Sequence, residues 1–192
     1  MQPRRYLKNN FYHVGARGNN QQKIFLRKED RERFLRRLEE YSSKYRVEIV
    51  AYALMDNHVH LLTKQISDLP ISKFMQALTI GYTMYFNLKY KRSGHLFQGR
   101  FHFTLVDSDE YLMHVSRYIH LNPVAANVVK KTENYIWSSY KEYLNLRNTP
   151  WVKSEYVLGF FKKINPFKDY KDFVEAQIPE AIERNLLKYT LE

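Results

Sequence analysis

The sequence of 192 residues contains no cysteine, and this absence removes two classes of site. Without thiols the chain has neither a disulfide framework nor a thiolate that binds a metal or acts as a nucleophile. The six glycines form no GxxxxGK phosphate-binding loop, which argues against an ATP-driven reaction. No apolar run reaches the ~18 residues that span a bilayer, and MQPRRYLKNN at the amino terminus lacks the apolar core of a signal peptide. We therefore expect a cytoplasmic protein that does not enter a membrane.

Acidic residues are outnumbered, with 20 Asp and Glu against 31 Lys and Arg, so the formal net charge is +11. A basic chain favours an anionic partner, of which nucleic acid is the commonest. The excess is concentrated in residues 1–46, with 13 Lys and Arg against 5 Asp and Glu. Aromatic residues make up 16% of the chain, more than a core of this size requires, so we expect some of them on the surface, where they can stack on bases. The alternative is a basic surface that only aids solubility.

Hydrophobic periodicity and turn residues predict the order strand, helix, strand, strand, helix, strand, helix. The strands are predicted at 11–16, 47–55, 58–63 and the second half of HLFQGRFHFTLV, and the helices at 28–45, after Pro70 and after Ser108. The last of these helices is expected to end near Asn122, because Pro123 disfavours helical geometry in the residue before it. This order is typical of an α+β, ferredoxin-like fold, an antiparallel sheet with packed helices. We expect one domain over residues 1–145 and a C-terminal helical extension of it over residues 146–192, with short helices at PFKDYKDFVEAQ and PEAIERNLLKY.

Two histidines two residues apart, His58 and His60, follow the apolar run that begins at Tyr52. In a strand their side chains point to the same face, so the two imidazoles project side by side from rigid backbone. Neutral imidazole is the commonest protein metal ligand, and the pair is therefore half of a candidate metal site. The alternative is a pair of surface or hydrogen-bonded histidines.

Tyr118 and Asn122, four residues apart on the last predicted helix, share one helical face and can both reach a point in front of the two histidines. A divalent cation with three protein ligands suits phosphodiester transesterification, in which a tyrosine hydroxyl attacks phosphorus and forms a phosphotyrosine. Tyr118 is equally interpretable as a core or stacking aromatic and Asn122 as a helix terminator. Two other functions stay open: a non-catalytic single-stranded nucleic-acid-binding module, and a metal-dependent phosphohydrolase that uses water.

Three segments, MDNHVHLL, GHLFQGRF and SRYIHLNPV, together resemble the IS200-like tyrosine transposases of the HUH single-strand nuclease superfamily. Within them the chain is most similar to the REP-associated tyrosine transposases, over about residues 5–145. The resemblance implies a ferredoxin-like fold, a divalent metal (Mg²⁺ or Mn²⁺) bound by His58, His60 and Asn122, and Tyr118 as the single nucleophile. Insertion-sequence members commonly have glutamine as the third ligand, so asparagine points to the REP-associated branch.

The reaction implied by the resemblance is cleavage of single-stranded DNA beside a hairpin, which leaves a 5′-phosphotyrosine and a free 3′-hydroxyl. The insertion-sequence enzymes are dimers with shared active sites, whereas the REP-associated ones resemble monomers. The resemblance to the latter, together with residues 146–192, favours a monomer. Local charge and nearness to the motifs lead us to expect two groups of DNA-binding residues. The first, for the hairpin foot and flanking bases, is Arg4, Arg5, Lys8 and Arg17; the second, for the cleaved strand, is Arg92, Arg100 and His102.

Overall fold

A computed structural model describes residues 7–161 and 164–176. The strands are β1 (Phe11–Arg17), β2 (Val47–Leu54), β3 (His58–Gln65) and β4 (His102–Val106). The helices are α1 (Lys28–Tyr45), α2 (Ile71–Lys89), α3 (Asp109–Ala125), α4 (Tyr140–Tyr143), α5 (Glu155–Leu158) and α6 (Pro166–Glu175). Single 3-10 turns cover Asn19–Gln21 and Thr132–Asn134. In this part of the chain no helix is long and apolar enough to cross a membrane.

The four strands form one sheet in the order β2-β3-β1-β4, and every neighbouring pair is antiparallel. With one helix after β1 and one after β3, this is the ferredoxin-like arrangement, which confirms the predicted fold class. Asp56 and Asn57, between two predicted strands, predict a tight turn, and the β2–β3 hairpin turns there, with Leu54 opposite Val59. Side chains alternate along each strand, so the sheet carries one apolar set on each face.

One face of the sheet is covered by α1 and α2, and the other by α3 together with the C-terminal segments. The first core contains Tyr12, Val14, Val59 and Leu61 from the strands. The second contains Leu62 and side chains of α3, α4, α5 and α6. Among the Phe, Tyr and Trp side chains of residues 7–161 and 164–176, Phe160 is exposed and the others are buried or half-buried, so surface aromatics are fewer than expected. Two cores, one on each face, account for the high aromatic content.

Helix α3 begins at an N-cap, where the Ser108 hydroxyl accepts a hydrogen bond from the Tyr111 N–H at 3.2 Å. The predicted end near Asn122 is wrong, because the helix continues to Ala125 with Pro123 inside it. Proline removes one N–H donor of the last turn, but the Ala126 N–H still donates to the Asn122 carbonyl at 2.9 Å. Asn122 therefore keeps its helical position, one turn after Tyr118 and on the same face.

The segment after α3 packs on both α3 and the sheet. The Lys153 N–H donates to the Ile49 carbonyl of edge strand β2 at 2.7 Å, and Tyr170 of α6 is fully buried against α3. The predicted helix at PFKDYKDFVEAQ is confirmed as α6, whereas PEAIERNLLKY lies outside the described residues. The boundary between residues 145 and 146 stays a prediction.

Candidate active site

The register of the central strands sets the floor of the site. On β1, Gly15 pairs with His60 of β3 on one side and with His102 of β4 on the other, and Arg17 pairs with His58. Paired residues point to the same face of an antiparallel sheet. The His58 and His60 side chains thus share the face covered by α3, as their spacing predicts.

The His58 ring is held between two asparagine side chains. Its Nδ1 lies 2.7 Å from Asn57 Oδ1, and its Nε2 lies 3.2 Å from Asn122 Oδ1. A neutral imidazole has one N–H, so with the proton on Nδ1 the Nε2 lone pair faces an amide oxygen. Burial, followed by the positive charge of Arg17, lowers the pKa of His58, although the contact with Asn122 opposes this shift. Two lone pairs that face each other in this way form a natural position for a bound cation.

Asn122 also reaches the tyrosine. Its Nδ2 donates to Tyr118 Oη at 3.2 Å, so a single amide contacts His58 through its oxygen and Tyr118 through its nitrogen. The Tyr118 ring packs edge-on against His60, with 5.4 Å between the ring centroids. The predicted convergence of these four side chains is therefore present in the structure.

His60 is 1% exposed and contacts a further histidine, His13 of β1. His13 Nε2 lies 3.2 Å from His60 Nδ1, and the two rings are stacked with centroids 5.3 Å apart. Burial lowers the pKa of His13 to about 4 and holds the pKa of His60 well below its usual value. Both rings are consequently neutral at physiological pH, the form in which imidazole binds a metal.

The donor set of the site fits an octahedral divalent cation. Two adjacent ligands of an ion such as Mg²⁺ lie about 3 Å apart, from ligand distances of about 2.1 Å. The separation of 3.2 Å between His58 Nε2 and Asn122 Oδ1 matches this value, and His60 Nε2 is the remaining imidazole donor. Among residues 7–161 and 164–176, no three side chains drawn from His, Cys, Asp and Glu form a metal cluster. The Asn122 amide oxygen is the candidate for a third donor beside the two imidazoles.

The structure spreads the predicted DNA-binding residues over different places. Arg17 and His102 lie on the floor of the site, on strands β1 and β4. Arg92 donates to Gln22 Oε1 at 2.7 Å, and Arg100 is exposed in the loop before β4. Lys8 forms an exposed ion pair with Asp68 at 3.7 Å and precedes β1, whereas Arg17 is the last residue of that strand. Arg4 and Arg5 lie outside the described residues.

Two side chains of the site, His13 and Asn57, were not identified from the sequence. The sequence offers one signal for His13, namely its place in the predicted strand FYHVGA, two residues before Gly15. The sequence pattern marks Asn57 only as a turn residue, although it directly precedes His58. The contact of His13 with His60 depends on how two strands pair, and the contact of Asn57 with His58 depends on the side-chain conformations. A sequence pattern specifies neither.

Comparison with known proteins identifies the family. The model of the family described as "Transposase IS200 like" matches residues 6–122, more than half of the chain, and this range contains His58, His60, Tyr118 and Asn122. A solved structure of a REP-associated tyrosine transposase bound to a REP hairpin has a TM-score of 0.64 at 15% identity and covers 80% of this chain and 96% of that chain. A Deinococcus radiodurans R1 protein provisionally assigned as a transposase has a TM-score of 0.45 at 18% identity, covering 70% of this chain and 97% of its own. Comparison with curated proteins gives no match. The chain belongs to the IS200-like transposase family, which consists of enzymes that cleave DNA and transfer its strands.

Proposed function

We propose that this protein is a metal-dependent single-stranded DNA transposase and endonuclease that nicks and rejoins DNA beside hairpins of the REP type. The observation that carries the proposal is the Asn122 amide, which contacts His58 on one side and Tyr118 on the other. This one side chain couples a candidate metal ligand to a candidate nucleophile. The REP hairpin in the structure of the REP-associated relative supports hairpin DNA as the substrate.

The residues have separate roles in the proposed reaction. His58 and His60 would hold Mg²⁺ or Mn²⁺ through their Nε2 atoms, and Asn122 would hold it through Oδ1. When bound, the cation polarises the phosphate and offsets the charge that develops in the transition state. Arg17 and His102 flank this set on β1 and β4, and this position supports a role for them in binding the phosphates of the strand.

Tyr118 Oη attacks the phosphorus, the bond from phosphorus to the 3′ oxygen breaks, and the 5′-phosphate becomes linked to the tyrosine. The proton leaves the phenol, and the departing 3′ oxygen gains one. Free tyrosine ionises near pH 10, so the site must favour the phenolate. The Asn122 N–H that donates to Tyr118 Oη does so, because a hydrogen bond to the charged form stabilises it. Rejoining is the reverse step, with a 3′-hydroxyl as the attacking group.

The proposed active site lies within one chain. His58, His60, Tyr118 and Asn122 converge within a single copy of the chain. Helix α3 also packs against α6, where Tyr170 Oη forms hydrogen bonds with Ser116 Oγ at 3.0 Å and with His120 Nδ1 at 2.7 Å. An arrangement that shares the nucleophile between two chains would have to detach α3 from this contact. We therefore propose a monomer as the active form.

The non-catalytic binding module has less support. It requires aromatic side chains that offer their faces to bases on an open sheet. Phe101 and Phe103, the aromatics in and beside β4, pack instead against the core on the α1 and α2 side. On the other face the sheet presents His60, Gly15 and His102 in one row, which suits phosphate chemistry better than base stacking.

The proposal is tested with a labelled single-stranded REP-type hairpin and Mn²⁺, followed by a denaturing gel. We expect a covalent protein–DNA adduct that EDTA prevents. In Tyr118→Phe, which removes only the hydroxyl, the adduct should be absent while hairpin binding persists. Cleavage that survives in Tyr118→Phe would contradict the tyrosine mechanism and favour the water-using phosphohydrolase instead.

A further inference from the structure

His13 is a buried histidine to which the proposed reaction assigns no role. It is 5% exposed, and its Nε2 lies 3.2 Å from His60 Nδ1. Its ring also meets the edge of the Tyr118 ring, with centroids 5.9 Å apart and an interplanar angle of 72°. His13 therefore lies behind both the candidate ligand and the candidate nucleophile.

The contact with His13 involves Nδ1 of His60, the nitrogen that must carry the proton if Nε2 binds a cation. A neutral imidazole that offers Nε2 to a cation must carry its proton on Nδ1, and that N–H needs an acceptor in a buried place. Within residues 7–161 and 164–176, His13 Nε2 is the one hydrogen-bond partner of the His60 ring. A second imidazole accepts this bond only if its own proton is on Nδ1, so the two tautomers are linked.

His120 shows what a buried structural histidine looks like in the same protein. Its Nδ1 bonds with Tyr170 Oη at 2.7 Å and its Nε2 with Ser139 Oγ at 2.8 Å, so it joins α3 to two other segments. The His13 ring packs against Tyr118 of α3, but its ring hydrogen bond is to the neighbouring strand β3, which the backbone ladder already pairs with β1. The sheet does not need this contact, whereas an oriented His60 does.

We propose that His13 is a positioning residue, which accepts the Nδ1–H of His60 and thereby aims the His60 Nε2 lone pair at the divalent cation. Partners of this kind fix the ring orientation of metal-binding histidines, and their loss lowers metal affinity by roughly 10–100-fold. The inference rests on the proposed function, since it presupposes a cation at His60. It assigns His13 no contact with the DNA or with the cation.

Two substitutions separate the hydrogen bond from the volume of the ring. His13→Phe fills a similar space against Tyr118 but cannot accept a hydrogen bond from His60. His13→Gln offers an amide oxygen as the acceptor instead of the imidazole nitrogen. Binding of Mn²⁺ by the purified protein is measured by calorimetry without DNA. His95→Gln is the matched control, because it removes an exposed histidine.

We expect His13→Phe to weaken Mn²⁺ binding by roughly 10–100-fold, His13→Gln to recover part of that loss, and the control to bind like the parent. A residue that only fills the core would change the thermal unfolding temperature and leave Mn²⁺ affinity unchanged. Unchanged affinity in a folded His13→Phe protein therefore overturns the inference. His60→Ala tests the metal site itself: Mn²⁺ binding that survives there contradicts the proposed function, whatever the His13 variants do.

The parent protein provides a readout that does not depend on whether a variant folds. Long-range ¹H–¹⁵N correlation of the Mg²⁺-bound protein reports the tautomer of each histidine ring. The expected result is a proton on Nδ1 of His60 and an unprotonated Nε2 on His13. A proton on Nε2 of His13, donated toward His60, would overturn the inference.

Discussion

Asp30 is a fully buried carboxylate that connects the start of α1 with the end of α2. Its removal should lower the stability of the protein by an amount that follows from its contacts. Lys89 Nζ donates to Oδ1 at 2.6 Å, and the Tyr90 hydroxyl donates to Oδ2 at 2.7 Å. The Tyr85 hydroxyl and the backbone N–H groups of Leu26 and Arg27 complete a set of five donors. We expect Asp30→Ala to destabilise the protein strongly.

The magnitude follows from what the substitution leaves behind. Breaking a buried ion pair by removing one partner costs about 3–5 kcal/mol, because the other charge and the donors lose their partner. The Lys89 side chain is 27% exposed and can regain water, which favours the lower end, about 3 kcal/mol. In a domain of this size each kcal/mol lowers the melting temperature by roughly 2–4 °C, so the expected drop is about 6–12 °C.

The pKa of Asp30 predicts how this effect depends on pH. Burial alone would raise the pKa, but hydrogen bonds from Lys89, Tyr90 and two backbone N–H groups lower it to about 2, below the ordinary 3.8. The charged form is therefore the stabilising one, and its contribution is complete above about pH 5 and lost as the pH falls from about 4 through 2. The difference in stability between the parent and Asp30→Asn should shrink over that interval.

Urea unfolding of the parent and the Asp30 variants at pH 7 and at pH 3 measures these quantities. Asp68→Asn is the control, because Asp68 is 91% exposed and its pair with Lys8 is worth less than about 1 kcal/mol. An Asp30→Ala protein as stable as Asp68→Asn at pH 7 would refute the reasoning. A stability difference that is the same at both pH values would refute the assignment of the effect to the carboxylate charge.

Two further predictions concern the site and its support. Asn57→Ala removes the side-chain oxygen next to His58 Nδ1, so we expect calorimetry to show Mn²⁺ affinity lower by roughly 10–100-fold, with hairpin affinity retained. Unchanged Mn²⁺ affinity would exclude a role of Asn57 in orienting His58. Tyr170→Phe removes the hydroxyl that bonds with His120 and Ser116, and urea unfolding should show a free energy of unfolding lower by about 1–3 kcal/mol. An unchanged midpoint would mean that these two hydrogen bonds do not stabilise the fold.

The parts of the fold and site that the sequence predicts correctly depend on local spacing. Alternation along a strand places His58 and His60 on one face, and the four-residue interval places Tyr118 and Asn122 on one turn. Helix α1 has the predicted bounds of residues 28–45 for the same reason, since its apolar positions recur at the helical period. Each of these features is contained within one element.

The parts that the sequence does not predict depend on pairing between distant segments. His13 meets His60 only because β1 and β3 pair with Gly15 opposite His60, and no pattern in either strand specifies that register. The contact between His120 and Tyr170 joins residues 50 positions apart. The wrong end of α3 has another cause: proline disfavours a helical residue before it on average, but α3 continues through Pro123, and the Asn122 carbonyl still accepts a hydrogen bond from the Ala126 N–H.

Peptide mass spectrometry of the adduct tests most directly the proposal that Tyr118 carries the DNA during the reaction. Trypsin cleaves after Arg117 and after Lys130, so Tyr118 and the neighbouring Tyr111 fall in different peptides. After nuclease digestion of the bound DNA, we predict a nucleotide mass attached through phosphate to Tyr118 in the peptide of residues 118–130. A nucleotide on the peptide that contains Tyr111, or no modified tyrosine in a protein that cleaves DNA, would contradict the account.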